Sequence, residues 1–256
     1  MQIKKVTSFL LGLYPLSNAE EWDPVGFAPK FALSETIKGA VVAIDLTTDV
    51  LQQAIKSKAN LIIVHHPFRF AETWQDEFKL APYKKKIYEQ LKKYRISVLA
   101  LHTNYDNNTN GTSHQIAKKL GFGNSIVSYK KPYPSVVEAF TGLSELKMKF
   151  EHLLNLKQMR TNVNDTAKKY RKIAFLSGSG GADLAYELSQ NKVELIITSD
   201  IKWNEWLLYR EHNIDVLEVS HLDEQVFVHH ICQQLSREFN DLSIIPVLMQ
   251  EPYKNF

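Results

Sequence analysis

Cysteine is nearly absent from this chain. Cys232 stands alone among 256 residues, so no disulfide can form within it and a zinc site built on thiolates is excluded. Any metal must be held by imidazole and carboxylate. Long apolar runs are absent as well: no stretch approaches the roughly 20 residues needed to span a bilayer. The opening MQIKKVTSFLLGLYPLSNAEEWD has two lysines and a short apolar segment but no A-x-A cleavage site. An amphipathic first helix with Val6, Phe9, Leu10 and Leu13 on one side accounts for it, and the expected compartment is the cytoplasm. Charge of one sign is also scarce, since a net +3 is too small by itself to argue for nucleic acid. What is present, 44% hydrophobic and 23% charged residues, is the balance of a globular protein. A chain of this length buries a core without a structural metal, so a metal site here is a candidate for function.

Two stretches share a rhythm of short β-branched strand and amphipathic helix, the signature of parallel sheets with crossover helices. In the first, GAVVAIDL (39 to 46) leads to a helix near 49 to 58, NLIIVHHP (60 to 67) to a helix at about 81 to 94, and ISVLALHT (96 to 103) follows. In the second, KIAFLSGSG (172 to 180) leads to a helix to about 190, ELIITSD (194 to 200) to a helix to about 212, and DVLEVSH (215 to 221) to a helix over 226 to 238. Residues 127 to 165 fit a strand and a crossover linking two lobes. The expectation is an α/β protein of two similar lobes, 1 to 126 and 127 to 256.

Ligands of open α/β sheets bind beyond the carboxyl ends of strands. His65 with His66, His102 with Asp106, and His221 with Glu224 all stand just past such ends. Adjacent histidines leaving a strand diverge, so they suit two neighbouring ions better than one, and Pro67 biases His66 toward extended geometry. A structural histidine pair is the other reading of IVHHP. In LHTNYDNNTNG, Asp106 suits a hard or borderline cation and His102 suits a ligand or a supporting partner. An Asx-rich turn capping a helix near Ser113 explains the same residues. In VSHLDEQ, Glu224 can bridge two ions or simply favour the start of the following helix. SGSGGADL is a glycine turn whose Gly178 and Gly180 either bind an anion or substrate through backbone N–H groups, or let helix and strand pack closely. Lys84, Lys85, Lys86, Lys92, Lys93 and Arg95, interleaved with Tyr83, Tyr88 and Tyr94, read as a solvated helix face or a single-strand binding groove.

Taken in order, these motifs resemble one family, the NIF-three-like proteins widely labelled GTP cyclohydrolase 1 type 2 homologues. AEEWDPVGF (19 to 27), VVAIDLTTDVLQQAIKSKANLIIVHHPFRF (41 to 70) and LHTNYDNNTNG (101 to 111) resemble its motifs in the first half. IAFLSGSGG (173 to 181), IITSDIKW (196 to 203) and SHLDEQ (220 to 225) resemble those in the second. The resemblance implies two ions per chain on His65, His66, Asp106, His221 and one acidic residue soon after, with that carboxylate bridging. The family spacing selects Gln225, one residue beyond Glu224. Glu224 is preferred because a shift of one also sets Val228 and Ile231 on the core face of the next helix. Ser199, Trp203 and Asn204 depart from the family pattern, changes that alter substrate preference or mark a member without activity. The resemblance further implies toroidal homohexamers, and at this length the inserted middle domain of larger members is absent.

Two functions compete. One is a metal-dependent hydrolase acting on a nucleotide or related small molecule, with Asp45 and Lys202 handling protons or positioning substrate, unless they form a structural ion pair or cap. The other is a non-catalytic metal-binding ring that binds a macromolecule such as single-stranded nucleic acid. Imidazole and carboxylate suit zinc, manganese and iron alike.

Overall fold

The computed structural model describes residues 1–254, which fall into two units, residues 1–108 with 227–254, and residues 109–226. Among the described residues, no helix is long and apolar enough to cross a membrane.

The first unit opens with α1 (Ile3–Leu13), whose Ile3, Val6, Thr7 and Leu10 recur at helical spacing and are buried. Phe9 is partly buried and Leu13 exposed, so the buried stripe is narrower than the sequence suggests. After β1 (Gly26–Phe27) come β2 (Ala40–Ala43), α2 (Thr48–Lys56), β3 (Leu61–Val64), α3 (Trp74–Leu80), α4 (Tyr83–Tyr94), β4 (Ser97–Ala100) and the short α5 (Thr103–Asp106). β2, β3 and β4 pair in parallel, and every residue in them is buried, as a sheet covered on both faces requires. Thr47 caps α2 by accepting from the Val50 N–H, and Val50, Leu51 and Ala54 then face the core.

The second unit contains α6 (Thr112–Lys119), β5 (Ile126–Val127), β6 (Ser135–Gly142), α7 (Leu143–Leu154), β7 (Met159–Thr161), β8 (Lys169–Phe175), α8 (Ala182–Gln190), β9 (Leu195–Thr198), α9 (Trp203–Glu211) and β10 (Val216–Val219). Its sheet runs β5-β6-β8-β9-β10-β7, with β8, β9 and β10 parallel and the other pairings antiparallel. Three consecutive parallel strands separated by helices thus recur in both units, the α/β repetition expected from the strand–helix rhythm.

The chain then returns to the first unit through α10 (Val226–Glu238) and β11 (Ile244–Pro246). β11 pairs in parallel with β2, which completes the order β1-β4-β3-β2-β11. α10 is held there by Tyr14 donating to Gln234 and by Phe9 meeting Phe239 edge-on. This division differs from the expected boundary between residues 126 and 127. The physical reason is the open edge of β2, which β11 fills.

Candidate metal centre

β3 ends at Val64, and the next two residues are His65 and His66, whose N–H groups both donate to the Ile44 carbonyl beyond β2. That contact fixes where the imidazoles leave the sheet. His65 is fully buried, with its Nδ1 2.8 Å from the Leu101 carbonyl oxygen beyond β4. A carbonyl only accepts, so Nδ1 carries the proton and Nε2 offers its lone pair. His66 places Nδ1 3.0 Å from Asp45 Oδ1, beyond β2, and His102 places Nδ1 2.9 Å from Asp23 Oδ2. One ligand atom from each of His65, His66 and His102 lies within 4.8 Å of the others. Asp106 Oδ2 stands 3.7 Å from His65 Nε2.

The turn that carries His102 and Asp106 is fixed by the residues between and around them. Thr103 donates through both its N–H and its hydroxyl to Asp23, Asn104 accepts from the His102 N–H, and its amide donates to the Tyr14 carbonyl. Tyr105, fully buried, has its hydroxyl 2.6 Å from His230 Nδ1 on α10. The turn chemistry and the cation-suited side chains therefore coexist, one holding the other. Burial would raise the Asp23 carboxyl, but His102 and Thr103 hold it below its usual range.

In the second unit His221 and Glu224 occupy a single turn after β10, with His221 Nε2 3.0 Å from Glu224 Oε2. His221 Nδ1 meets Asp200 Oδ2 at 2.6 Å, beyond the neighbouring β9. Burial by itself would lower the His221 pKa. The carboxylates of Glu224, Asp200 and Asp223 outweigh it and push it up to about 11. Asp223 and Glu224 are both buried, while Gln225 is only partly so. Burial and the adjacent Glu224 charge raise the Asp223 carboxyl well above the carboxylate range.

Gly178 has φ +63°, and a Cβ there would sit closer to Glu224 Oε1 than atoms can approach. Its N–H also donates to Asp223. The Gly180 N–H donates to Thr198 Oγ1, and a Cβ at Gly180 would collide with Leu176. Both glycines thus have packing reasons to be glycine. Lys202 is exposed at the start of α9, where its N–H donates to Glu205 Oε2. The departure at Ser199 is buried, with no partner for its hydroxyl among the described residues. In the basic cluster on α4, Lys84 pairs with buried Glu77, Arg95 with Glu35, and Tyr88 packs on Trp74, while Lys85, Lys86, Lys92 and Lys93 are exposed.

The structure thus groups His65, His66, His102 and Asp106 in the first unit, and His221, Asp223, Glu224 and Gly178 in the second. Sequence reasoning assigned no role to Asp23 or Asp200, although both lie in quoted motifs. The local signal was an acidic residue at a strand end or before one. Asp200 also has a positive φ of 54°, a conformation that aspartate tolerates better than most residues.

Fold and side chains together define a two-unit α/β protein whose strand-end imidazoles are braced by carboxylates and carbonyls and include groups able to hold a metal ion. The model of Duf34/NIF3 (NGG1p interacting factor 3) matches residues 1–253, and the chain belongs to that family. A GTP cyclohydrolase 1 type 2 homolog of Mycoplasmopsis pulmonis is 38% identical over 239 residues, covering 91% of this chain and 93% of the relative. A protein of the same name from Ureaplasma parvum is 31% identical, with 95% and 94% covered. A solved structure of a Staphylococcus aureus hypothetical protein matches with a TM-score of 0.88 at 23% identity, over 100% of this chain and 99% of that one, which supports the fold.

Proposed function

We propose that this chain is a metal-dependent hydrolase acting on a nucleotide or related small molecule, with two divalent ions held by His65, His66, Asp106, His221 and Glu224. The observation that supports the reading is the bracing of the four imidazoles His65, His66, His102 and His221. Each has Nδ1 within 3.0 Å of an oxygen. That pattern orients a metal-ligating histidine, and in His65, His66 and His221 it would leave Nε2 to an ion. The relatives' name supplies GTP as the first substrate to try. Such ions supply Lewis acidity and make water nucleophilic near neutral pH. Asp45 and Asp200 orient His66 and His221. His102, steadied by Asp23, presents Nε2 as the atom where the chain takes or gives a proton, and Glu224 and Asp106 supply negative charge against the dications. The family resemblance also implies a cytoplasmic homo-oligomer, a toroidal hexamer, which a monomer by light scattering at micromolar concentration would overturn.

The test is metal analysis of protein reloaded with zinc, manganese or iron, beside turnover of a nucleotide panel by metal-replete and metal-stripped protein. About two ions per chain and turnover confined to the loaded form are expected. Saturation at one ion defeats the pairing, and equal turnover by stripped protein defeats the metal-dependent chemistry.

A further inference from the structure

Two large aromatic side chains beside the histidines of the first unit are left in solvent. Trp22 is 65% exposed and Phe70 48% exposed. Both meet the same imidazole: the Trp22 and His102 ring centroids are 5.9 Å apart at 78°, and those of Phe70 and His102 6.2 Å apart at 89°. A single exposed aromatic needs no explanation, but two converging on one member of a histidine cluster do.

The loops that carry them are anchored, and by buried charge. Trp22 precedes Asp23, whose carboxylate accepts from the Thr103 N–H and hydroxyl. The Glu20 N–H, two residues before Trp22, donates to Thr103 Oγ1. On the other side, the N–H groups of Phe70 and Ala71 donate to Oε2 of Glu77, which is buried and paired through Oε1 with Lys84. Burying a carboxylate is costly unless it is paired and hydrogen-bonded, and here two of them hold short loops that each lift a ring into water. Loops so fixed lose little freedom when a ligand binds, which favours stacking on the rings they carry.

We infer that Trp22 and Phe70 form a platform that seats a planar heteroaromatic ring, of purine type, next to His102 and its neighbours His65 and His66. The inference rests on the reading of that cluster as the reaction site and names the part of the substrate the chain recognises. A flat conjugated ring laid against the indole gains stacking that a sugar phosphate or an aliphatic chain does not. Neither Trp22 nor Phe70 is a metal-ligating type, so their contribution separates from the ions.

The test is calorimetric titration of the full, metal-loaded protein with GMP and with ribose 5-phosphate, which lacks the ring. Metal content is measured on every sample. GMP is expected to bind at least about tenfold tighter than ribose 5-phosphate. Trp22→Ala removes most of that advantage, Phe70→Ala a few-fold, and Trp22→Phe restores most of what Trp22→Ala loses. Equal binding of the two probes, binding of neither, or a Trp22→Ala protein that takes GMP like the parent overturns the platform. If ring preference is lost while two ions remain, the platform fails and the metal reading stands. If ring preference persists in a chain that takes up no metal, the reverse holds.

Discussion

In each unit a histidine that ends one strand is gripped by an aspartate that ends the strand beside it, Asp45 with His66 and Asp200 with His221. From that common device the units diverge. The first gathers three imidazoles, each facing one carboxylate, Asp106, Asp45 or Asp23, whereas the second surrounds one imidazole with Glu224, Asp223 and Asp200. Imidazole and carboxylate are matched in the first, and carboxyl groups outnumber imidazole in the second. Imidazoles bind a dication without offsetting its charge, while carboxylates do both. Repeated topology therefore supplies complementary chemistry, and substitutions that exchange the two kinds of donor test that division.

The largest effect is expected at Glu224. Replacing it with Gln keeps shape and volume but removes the charge proposed to lie between two ions, so occupancy of both positions should fall together. The loss should exceed the hundredfold at the upper end for supporting residues. Asp106→Asn should weaken mainly one position, because its carboxylate is proposed to serve a single ion. Stoichiometry by calorimetric titration, on variants with unchanged circular dichroism, separates the two outcomes. Retention of two ions by Glu224→Gln would remove the bridge.

Next come the supporting aspartates, where burial differs between the units. The Asp23 side chain has no exposure and accepts two hydrogen bonds from Thr103 besides facing His102. Asp23→Asn should therefore cost about 3 kcal/mol of stability, read from urea unfolding, because it disturbs a buried ionic network. The Asp200 side chain is 58% exposed. Asp200→Asn should change stability by less than about 0.5 kcal/mol yet weaken metal binding about tenfold or more, since His221 loses its brace. Equal destabilisation by both would erase the contrast.

The acidic surroundings of His221 also set a pH dependence. In the ion-free chain the imidazole keeps its proton up to about pH 11, but a metal binds the neutral ring. Across the neutral range binding must expel that proton, so affinity falls as pH falls. On the order of one proton per chain should be released on account of His221. Titrations in buffers of different ionisation enthalpy measure it, and loading without proton release would contradict the assignment of His221 as a ligand.

Much of the scaffold is legible in the sequence because buried parallel strands appear as short apolar runs that end in polar residues. LIIVHHP and ELIITSD are of that kind, and α10 covers 226 to 238 as its spacing predicts. The strands β1, β5, β7 and β11 are two or three residues long and leave no periodicity to read. Nor can local pattern say that β11 joins β2, a pairing across about two hundred residues that depends on which sheet edge is open. Candidate ligands stand out because histidine and acid recur at strand ends. Of their braces Asp45 does, but Asp23 and Asp200 do not, since Asp23 meets the His102–Thr103 turn from 80 residues away and Asp200 meets His221 from 21.

The smallest effect is expected at Gln225, the residue that family spacing would put in the ligand position. Glu224 is 3% exposed, lies 3.0 Å from His221 Nε2, and fills space that only a glycine at 178 leaves open. Gln225 is partly exposed at the end of the same turn, just before α10. An amide there can offer a carbonyl oxygen to a cation but cannot offset repulsion between two dications. Gln225→Ala should therefore leave two ions bound with affinity within about threefold of the parent, a shift below about 0.7 kcal/mol. Gly178→Ala sharpens the same comparison, because its Cβ would displace the Glu224 carboxylate, and metal affinity should fall although no ligand has been replaced. If Gln225→Ala empties the site while Glu224→Gln keeps two ions, the closing motif must be read one residue later, and Asp223 becomes the next bridge to test.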